Sequence, residues 1–200
     1  MGGVEAHHVA ALRDLLATTP WLDRTDELAR ALRHTRDPGG LMLIGTPEEE
    51  PWHLTAHLAD ESRYAGLPQL SPTLVRWDPP PNAPGHLRIG LDRLSQARRG
   101  ETLFVVSPEA EAPVPLLERV DDARRTGATV LALDQGDPEL ASLAHDAISI
   151  DPATAPVSFD GAQHLVSTAA GHPVERLRQS GLRARLSRFL DVVSGPRVPD

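Results

Sequence analysis

The residues in this chain with the types and spacing best suited to chemistry are histidines and one glutamate. His57 and Glu61 are four residues apart in the segment HLADE, and His53 lies one turn before His57, so the three share one face of a predicted helix. Imidazole nitrogen and carboxylate oxygen are ligands for Zn²⁺ and other transition metals. A metal site is one interpretation. The other is that these are surface histidines or hydrogen-bonded core histidines.

A predicted strand–helix–strand unit gives the chain its central structure. Thr102–Val106 is a short apolar run of strand type, and Ala128–Leu133 is a second. Between them, apolar residues recur at helical spacing, namely Leu116, Leu117, Val120 and Ala123. Gly127 ends this helix after two arginines in its last turn. The unit predicts two parallel strands in a sheet whose faces are both covered.

This unit places a second group of polar residues at a candidate ligand site. In parallel α/β sheets ligands bind beyond the carboxyl ends of the strands. The residues that follow predicted strands, and that we take as candidate ligand-binding residues, are Thr46, Ser107, Glu109, Glu111 and Asp134.

The remaining pattern predicts the fold class. Helices are predicted at Val4–Thr18 and from Thr25 to about Arg36, followed by strands that alternate with helices, including a helix at Leu87–Ala97. We expect a three-layer αβα sandwich with a flavodoxin-like, five-stranded, mostly parallel sheet, two N-terminal helices and a helical C-terminus. The predicted organisation is one domain, with N-terminal helices in 1–36, a core in 39–177, a C-terminal helix in 178–193 and a tail in 194–200.

Composition excludes several chemistries. The chain has 200 residues, no cysteine and 20 basic residues, all of them arginine. Disulfides, thiol catalysis, cysteine-bound zinc and lysine Schiff bases are therefore ruled out. A net charge of −8 predicts no nucleic-acid partner, and the absence of a long apolar run predicts no membrane partner. With no signal-peptide pattern, we expect a cytoplasmic protein.

Four stretches resemble the sugar isomerase (SIS) domain family, especially its phosphoheptose isomerase-like members. They are Gly39–Gly45 (GGLMLIG), Arg99–Ser107 (RGETLFVVS), Ala123–Asp134 (ARRTGATVLALD) and Leu140–Ile150 (LASLAHDAISI), and the resemblance covers about Asp26–Leu177. It implies a domain that binds a sugar derivative as a small-molecule ligand. It also implies a homodimer or homotetramer with sites at subunit interfaces.

The same resemblance implies roles for the histidines. His57 and Glu61 match the family's His-x-x-x-Glu, whose histidine holds zinc and whose glutamate moves a proton. His164 and His172, eight residues apart, stand where the family has a glutamine and a histidine that complete the site. The implied metal ligands, with zinc as the possible cofactor, are His57, Glu61, His164 and His172, and the implied catalytic pair is Glu61 and His172. The reaction would be aldose–ketose isomerisation.

The chain departs from the family in its two phosphosugar loops, which are acidic here. Glu48–Glu50 follows Thr46, and Glu109 and Glu111 follow Ser107, with prolines that remove amide donors. Two like charges about 5 Å apart repel by roughly 3 kcal/mol at an effective dielectric near 20. The acids therefore predict weak phosphate binding, unless they only stabilise helix N-termini and point to solvent.

The sequence thus favours a divergent SIS-type protein that binds a carbohydrate derivative or other small molecule, or that acts as a non-catalytic assembly or regulatory module. The alternative is a metal-dependent phosphosugar isomerase of the phosphoheptose type. Whether the protein is an enzyme stays open at this point.

Overall fold

The fold is built on five parallel strands, seen in a computed structural model that describes residues 21–171. The strands are β1 (Leu41–Ile44), β2 (Pro72–Leu74), β3 (Thr102–Val106), β4 (Thr129–Asp134) and β5 (Asp146–Ser149). Their order in the sheet is β2-β1-β3-β4-β5, and each neighbouring pair is parallel. This is the predicted flavodoxin-like order, so the fold class is confirmed. The predicted helices at Val4–Thr18 and in 178–193 lie outside the described residues.

Six α-helices accompany the sheet in the described part of the chain. They are α1 (Trp21–Arg33), α2 (Trp52–Ala65), α3 (Asp92–Ser95), α4 (Val114–Arg125), α5 (Pro138–Leu143) and α6 (Phe159–Gly171). None of them is long and apolar enough to cross a membrane. Short 3₁₀ turns occur at Pro68–Leu70 and Gly85–Leu87.

Alternation along each strand divides the core into two halves. Leu43 and Phe104 face one half of the core with α1, α2 and α6, whereas Ile44 and Leu103 face the other half with α3, α4 and α5. Because successive strand side chains point to opposite faces, wholly apolar strands are needed to fill both layers. All residues of β1 and β3 are buried, as this arrangement requires.

The predicted helix at Leu87–Ala97 is wrong in extent. The segment forms the 3₁₀ turn that ends at Leu87 and the four-residue α3. The reason lies between them, where the Arg76 amide donates to the Ile89 carbonyl at 2.8 Å and Gly90 pairs with Arg76 in a parallel bridge. Extended backbone at Gly90 takes the place of a helical turn.

Two features of the fold position the candidate residues. The carboxyl ends of β1 and β3 lie side by side, since Ile44 pairs with Val105, and the chain reverses its direction of winding between these strands. On one face of the sheet, α2 and α6 pack against each other. The predicted histidines lie on these two helices.

Candidate functional site

Three histidines meet between α2 and α6. His53 Nε2 lies 2.9 Å from His164 Nε2 and 2.9 Å from His57 Nε2. The three ring centroids are 4.3 to 4.7 Å apart, and the rings stand edge to face. Helical spacing brings His53 and His57 to one face of α2, and the packing of α6 on that face brings His164 to them. We call His53, His57 and His164 the histidine centre.

The contacts within the histidine centre are not a satisfied hydrogen-bond network. A neutral imidazole nitrogen has either one N–H or one lone pair in the ring plane, so it makes one such bond as a donor or as an acceptor. His53 Nε2 has two nitrogen neighbours at 2.9 Å, and both contacts cannot be hydrogen bonds at once. A cation that accepts all three lone pairs removes the conflict.

The donor set suits zinc or a similar ion. Two nitrogens bound at 2.0–2.1 Å to one ion are at most about 4.2 Å apart, and both 2.9 Å separations fall within that limit. The candidate ligand atoms of all three histidines lie within 4.8 Å of one another. Three protein ligands leave one tetrahedral position open, which is the arrangement of catalytic zinc sites. His53 is exposed and the other two rings are partly buried.

Electrostatics keep two rings of the histidine centre in the form that binds metal. Burial, together with neighbouring His57 and His53, lowers the pKa of His164 to about 4, while Asp160 opposes the shift. Burial and His53 also lower the pKa of His57, against Asp60. Metal ions bind neutral imidazole, so at neutral pH these two rings give up no proton on binding.

Glu61 lies outside the group of three nitrogens in the structure. Its carboxylate packs against the end of α6, so closely that a Cβ on Gly171 would be 2.0 Å from Glu61 Oε2. A glycine at position 171 therefore allows α6 to approach α2. The other predicted ligand and catalytic residue, His172, lies outside the described residues. The sequence had placed His53 on the same face without naming it as a ligand.

Thr46, Ser107 and Glu109 meet at the ends of β1 and β3, and we call this group the strand-end crevice. The Thr46 hydroxyl donates to Glu109 Oε1 at 2.9 Å, and the Ser107 hydroxyl donates to Glu109 Oε2 at 3.5 Å. Thr46 and Ser107 are both 0% exposed. One carboxylate thus bridges hydroxyls from two neighbouring strands.

The other two predicted ligand residues lie in different surroundings. Asp134, at the end of β4, is fully buried, and its Oδ1 accepts from the Gly136 amide at 2.7 Å. Burial raises the pKa of the Asp134 carboxyl, while the Ser149 hydroxyl and the Gly136 amide favour the ionised form. Glu111 is exposed in the loop after β3.

Sequence reasoning did not identify a cavity beside the strand-end crevice. The cavity measures about 470 Å³ and lies between the loops after β1 and β2. Its lining includes Glu48, Trp52, Arg76, Trp77 and Asp78. The Arg76 guanidinium lies 4.8 Å above the Trp52 ring, and the Trp77 indole donates to the Gly45 carbonyl at 2.9 Å. Trp52 and Trp77, which lie in the sequence shortly after β1 and β2, were the available signal.

Comparison with known proteins gives structural likeness only. No protein-family model and no curated protein sequence matches the chain. A provisionally assigned phosphosugar isomerase from Silicibacter pomeroyi DSS-3 aligns with a TM-score of 0.54 and 18% identity over 92% of this chain and 54% of that one. A provisionally assigned sugar-binding protein from Salmonella typhimurium LT2 gives 0.53 and 17% over 92% and 52%.

A third solved structure is the Vibrio vulnificus NanR protein complexed with ManNAc-6P, with a TM-score of 0.50 and 17% identity over 97% of this chain and 69% of that one. The chain spans about half the length of the first two proteins. At these identities the likeness concerns the fold. The chain has the αβα fold of solved structures described as phosphosugar isomerases and sugar-binding proteins.

Proposed function

We propose that this chain is an SIS-type domain that binds a carbohydrate derivative and holds a zinc ion at the histidine centre. The observation that carries the proposal is the meeting of three histidines whose candidate ligand nitrogens lie within 4.8 Å of one another. His53 Nε2 makes two 2.9 Å contacts in this group, and the two cannot both be hydrogen bonds. The sugar-isomerase type is supported by the sheet order and by the fold likeness to a phosphosugar isomerase and a sugar-binding protein.

The topology supports the proposed location of the ligand site. β1 and β3 form the switch point of the sheet, where ligands of open α/β sheets bind. The strand-end crevice and the neighbouring 470 Å³ cavity lie there. Asp160, at the start of α6, influences both His164 of the histidine centre and Glu49 of the crevice loop, so the two regions are electrostatic neighbours. We further propose assembly as a homodimer or homotetramer.

The test of the metal proposal is elemental mass spectrometry on untagged protein expressed with added zinc. We expect about one equivalent of zinc per chain, because three imidazoles form a complete protein ligand set. His57→Ala and His164→Ala should each lose it. His86→Ala is the matched control, since His86 is exposed and lies outside the histidine centre, and it should keep the metal. Clearly substoichiometric zinc in the unaltered protein, or full zinc in both variants, would contradict the proposal.

A second candidate function is aldose–ketose isomerisation. It is favoured by Glu61, a carboxylate one helical turn after His57 and packed beneath α6, beside a three-ligand metal centre. A bound zinc ion would supply Lewis-acid polarisation of a sugar carbonyl. Glu61 would then transfer a proton between neighbouring carbons, as a positioned carboxylate does in general acid–base catalysis. In this proposal His172 keeps the acid–base role that its place in the sequence implies.

Substitution at Glu61 separates binding from catalysis. Glu61→Gln should retain zinc, because Glu61 is not one of the three converging ligands, but should abolish any isomerisation of sugars or sugar phosphates. Asp60→Asn is the control, since Asp60 is exposed and pairs with Arg63 at 2.9 Å. If the zinc-loaded protein isomerises neither sugars nor sugar phosphates, the isomerase proposal is contradicted. The proposal that the protein binds a carbohydrate derivative is unaffected by that result.

A further inference from the structure

The carboxylate of Glu109 lies between the two buried hydroxyls of the strand-end crevice. It is held by hydroxyls from two strands that adjoin at the switch point, at 2.9 Å from Thr46 Oγ1 and 3.5 Å from Ser107 Oγ. Both hydroxyls are completely buried, and each has a single proton to donate. With both protons directed at Glu109, neither hydroxyl remains as a donor for an anion entering from solvent.

Part of the backbone of the loop after β1 is already bonded or lacks an N–H. The Thr46 amide donates to the Glu49 carbonyl at 3.1 Å, and the Glu49 amide donates to Thr46 Oγ1 at 3.2 Å. Pro47 and Pro51 have no N–H. The loop thus closes on itself over Gly45, where a Cβ would lie 2.0 Å from the Glu49 carbonyl oxygen.

Charges around the crevice have the same sign as Glu109. Partial burial raises the pKa of Glu49, and the charges of Asp160 and Glu109 raise it further. The nearby cation of the cavity, Arg76, is already engaged by Glu50, with 2.9 Å between Nε and Oε2. A phosphate in this position would meet several carboxylates and no free cation among the residues that line the described cavity.

We infer that Glu109 is a specificity-determining residue: it is an internal anion that takes the place of an anionic ligand, so the crevice accepts an uncharged or cationic carbohydrate derivative and rejects a phosphorylated one. The inference rests on the proposed role of the crevice as the ligand site. It concerns the ligand class and is independent of the metal at the histidine centre.

The test is the binding of inorganic phosphate, measured by calorimetry on the full chain. Glu109→Ser removes the carboxylate and frees the Thr46 and Ser107 hydroxyls, so phosphate should bind at least about tenfold more tightly than to the unaltered protein, or about 1.4 kcal/mol. Glu111→Ser is the matched control, because Glu111 is an exposed acid of the same loop. It should bind phosphate as the unaltered protein does.

Three outcomes would overturn the inference: tight phosphate binding by the unaltered protein, no gain in Glu109→Ser, or an equal gain in Glu111→Ser. Glu109→Gln keeps the size of the side chain and removes only its charge. It should show a smaller gain than Glu109→Ser, and it serves as the test if the serine variant does not fold. Zinc content measured on the same samples keeps the two proposals distinct. If the unaltered protein holds no zinc and Glu109→Ser still gains phosphate affinity, only the proposed metal site is contradicted.

Discussion

The histidine centre and the strand-end crevice contrast in how their polar groups are satisfied. In the histidine centre, nitrogens with lone pairs converge, and the two 2.9 Å contacts at His53 Nε2 exceed what one ring nitrogen can bond. In the crevice, each hydroxyl has an acceptor, because Glu109 lies between Thr46 and Ser107. The histidine centre presents nitrogen ligands to a cation from solvent, whereas the crevice already contains the Glu109 carboxylate.

This contrast shows that a shared fold does not fix the ligand class. Topology forms both places: the strand order forms the switch point between β1 and β3, and α2 packs against α6 on one face of the sheet. The chemistry at each position depends on a few side chains. One loop glutamate, Glu109, lies against two strand-end hydroxyls, and one histidine of α6, His164, joins two histidines of α2.

A glycine lies in close contact in each region, against backbone at Gly45 and against a side chain at Gly171. This difference predicts how much stability each region loses when the glycine is replaced by alanine. The largest expected effect is Gly45→Ala in the crevice loop. The new Cβ would meet the Glu49 carbonyl oxygen at 2.0 Å and Pro51 Cδ at 2.8 Å. Since backbone cannot rotate away, we expect a loss of about 3 kcal/mol in the free energy of unfolding, measured by urea denaturation.

The control for this variant is Gly85→Ala, because a Cβ at Gly85 meets nothing within 4 Å. Its stability should change by no more than about 0.5 kcal/mol. Equal stability of the two variants would show that the loop after β1 moves easily. The crevice would then not be a closed region that differs from the histidine centre.

Sequence patterns predicted the fold well because its central strands β1 and β3 are short apolar runs that are buried along their whole length. Thr102–Val106 was predicted with the bounds that the structure has, and the crossover rule limited the strand order to a flavodoxin-like set that contains the observed one. The error at Leu87–Ala97 arose because helical spacing of apolar residues cannot reveal the bridge between Arg76 and Gly90, which is a contact between distant segments.

For the candidate site, the sequence identified positions more readily than contacts. It placed His57 and His164 in one proposed site, and the structure brings them together. It took Glu61 as the other ligand on α2 because the family resemblance implied it, and helical spacing alone cannot show that His53 is the side chain that meets His164. It could not show that Glu109 turns back onto Thr46, since that depends on the path of the loop.

The second prediction concerns pH and the metal-free histidine centre. The pKa of His164 is about 4 in the folded protein and 6.5 in its ordinary state. Between these values the unfolded chain binds a proton that the folded chain does not, so stability is complete above pH 6.5 and falls as the pH falls toward 4. Allowing for the partial exposure of the ring, we expect a loss of about 2 kcal/mol in protein treated with chelator.

Comparison with His164→Gln isolates this contribution from the carboxylates that also titrate in that range. The loss of stability between neutral and acid pH should be about 2 kcal/mol smaller in this variant than in the unaltered protein, and unchanged in His86→Gln, in which an exposed histidine is replaced. Parallel pH profiles for all three proteins would mean that His164 is not held in its neutral form.

The smallest effect is expected from Gly171→Ala, where the methyl group would meet a side chain in place of backbone. A Cβ at position 171 would lie 2.0 Å from Glu61 Oε2 and 2.9 Å from Glu61 Cβ. The Glu61 carboxylate can move away by rotation and leaves only the contact with the fixed Cβ, so we expect a loss of about 1–2 kcal/mol in thermal or urea unfolding, which is less than for Gly45→Ala.

A double-mutant cycle with Glu61→Ala shows whether that loss comes from this contact. If the clash with the Glu61 carboxylate is its main source, Gly171→Ala should cost less in the Glu61→Ala background, where only the 2.9 Å contact with Cβ remains, with a coupling energy of about 1 kcal/mol. Additive losses would place the strain elsewhere along α6. Zinc content should be the same in all four proteins of the cycle, because the three converging nitrogens belong to His53, His57 and His164. Loss of zinc in Glu61→Ala would instead make Glu61 a fourth ligand, and the metal centre would then have no open position.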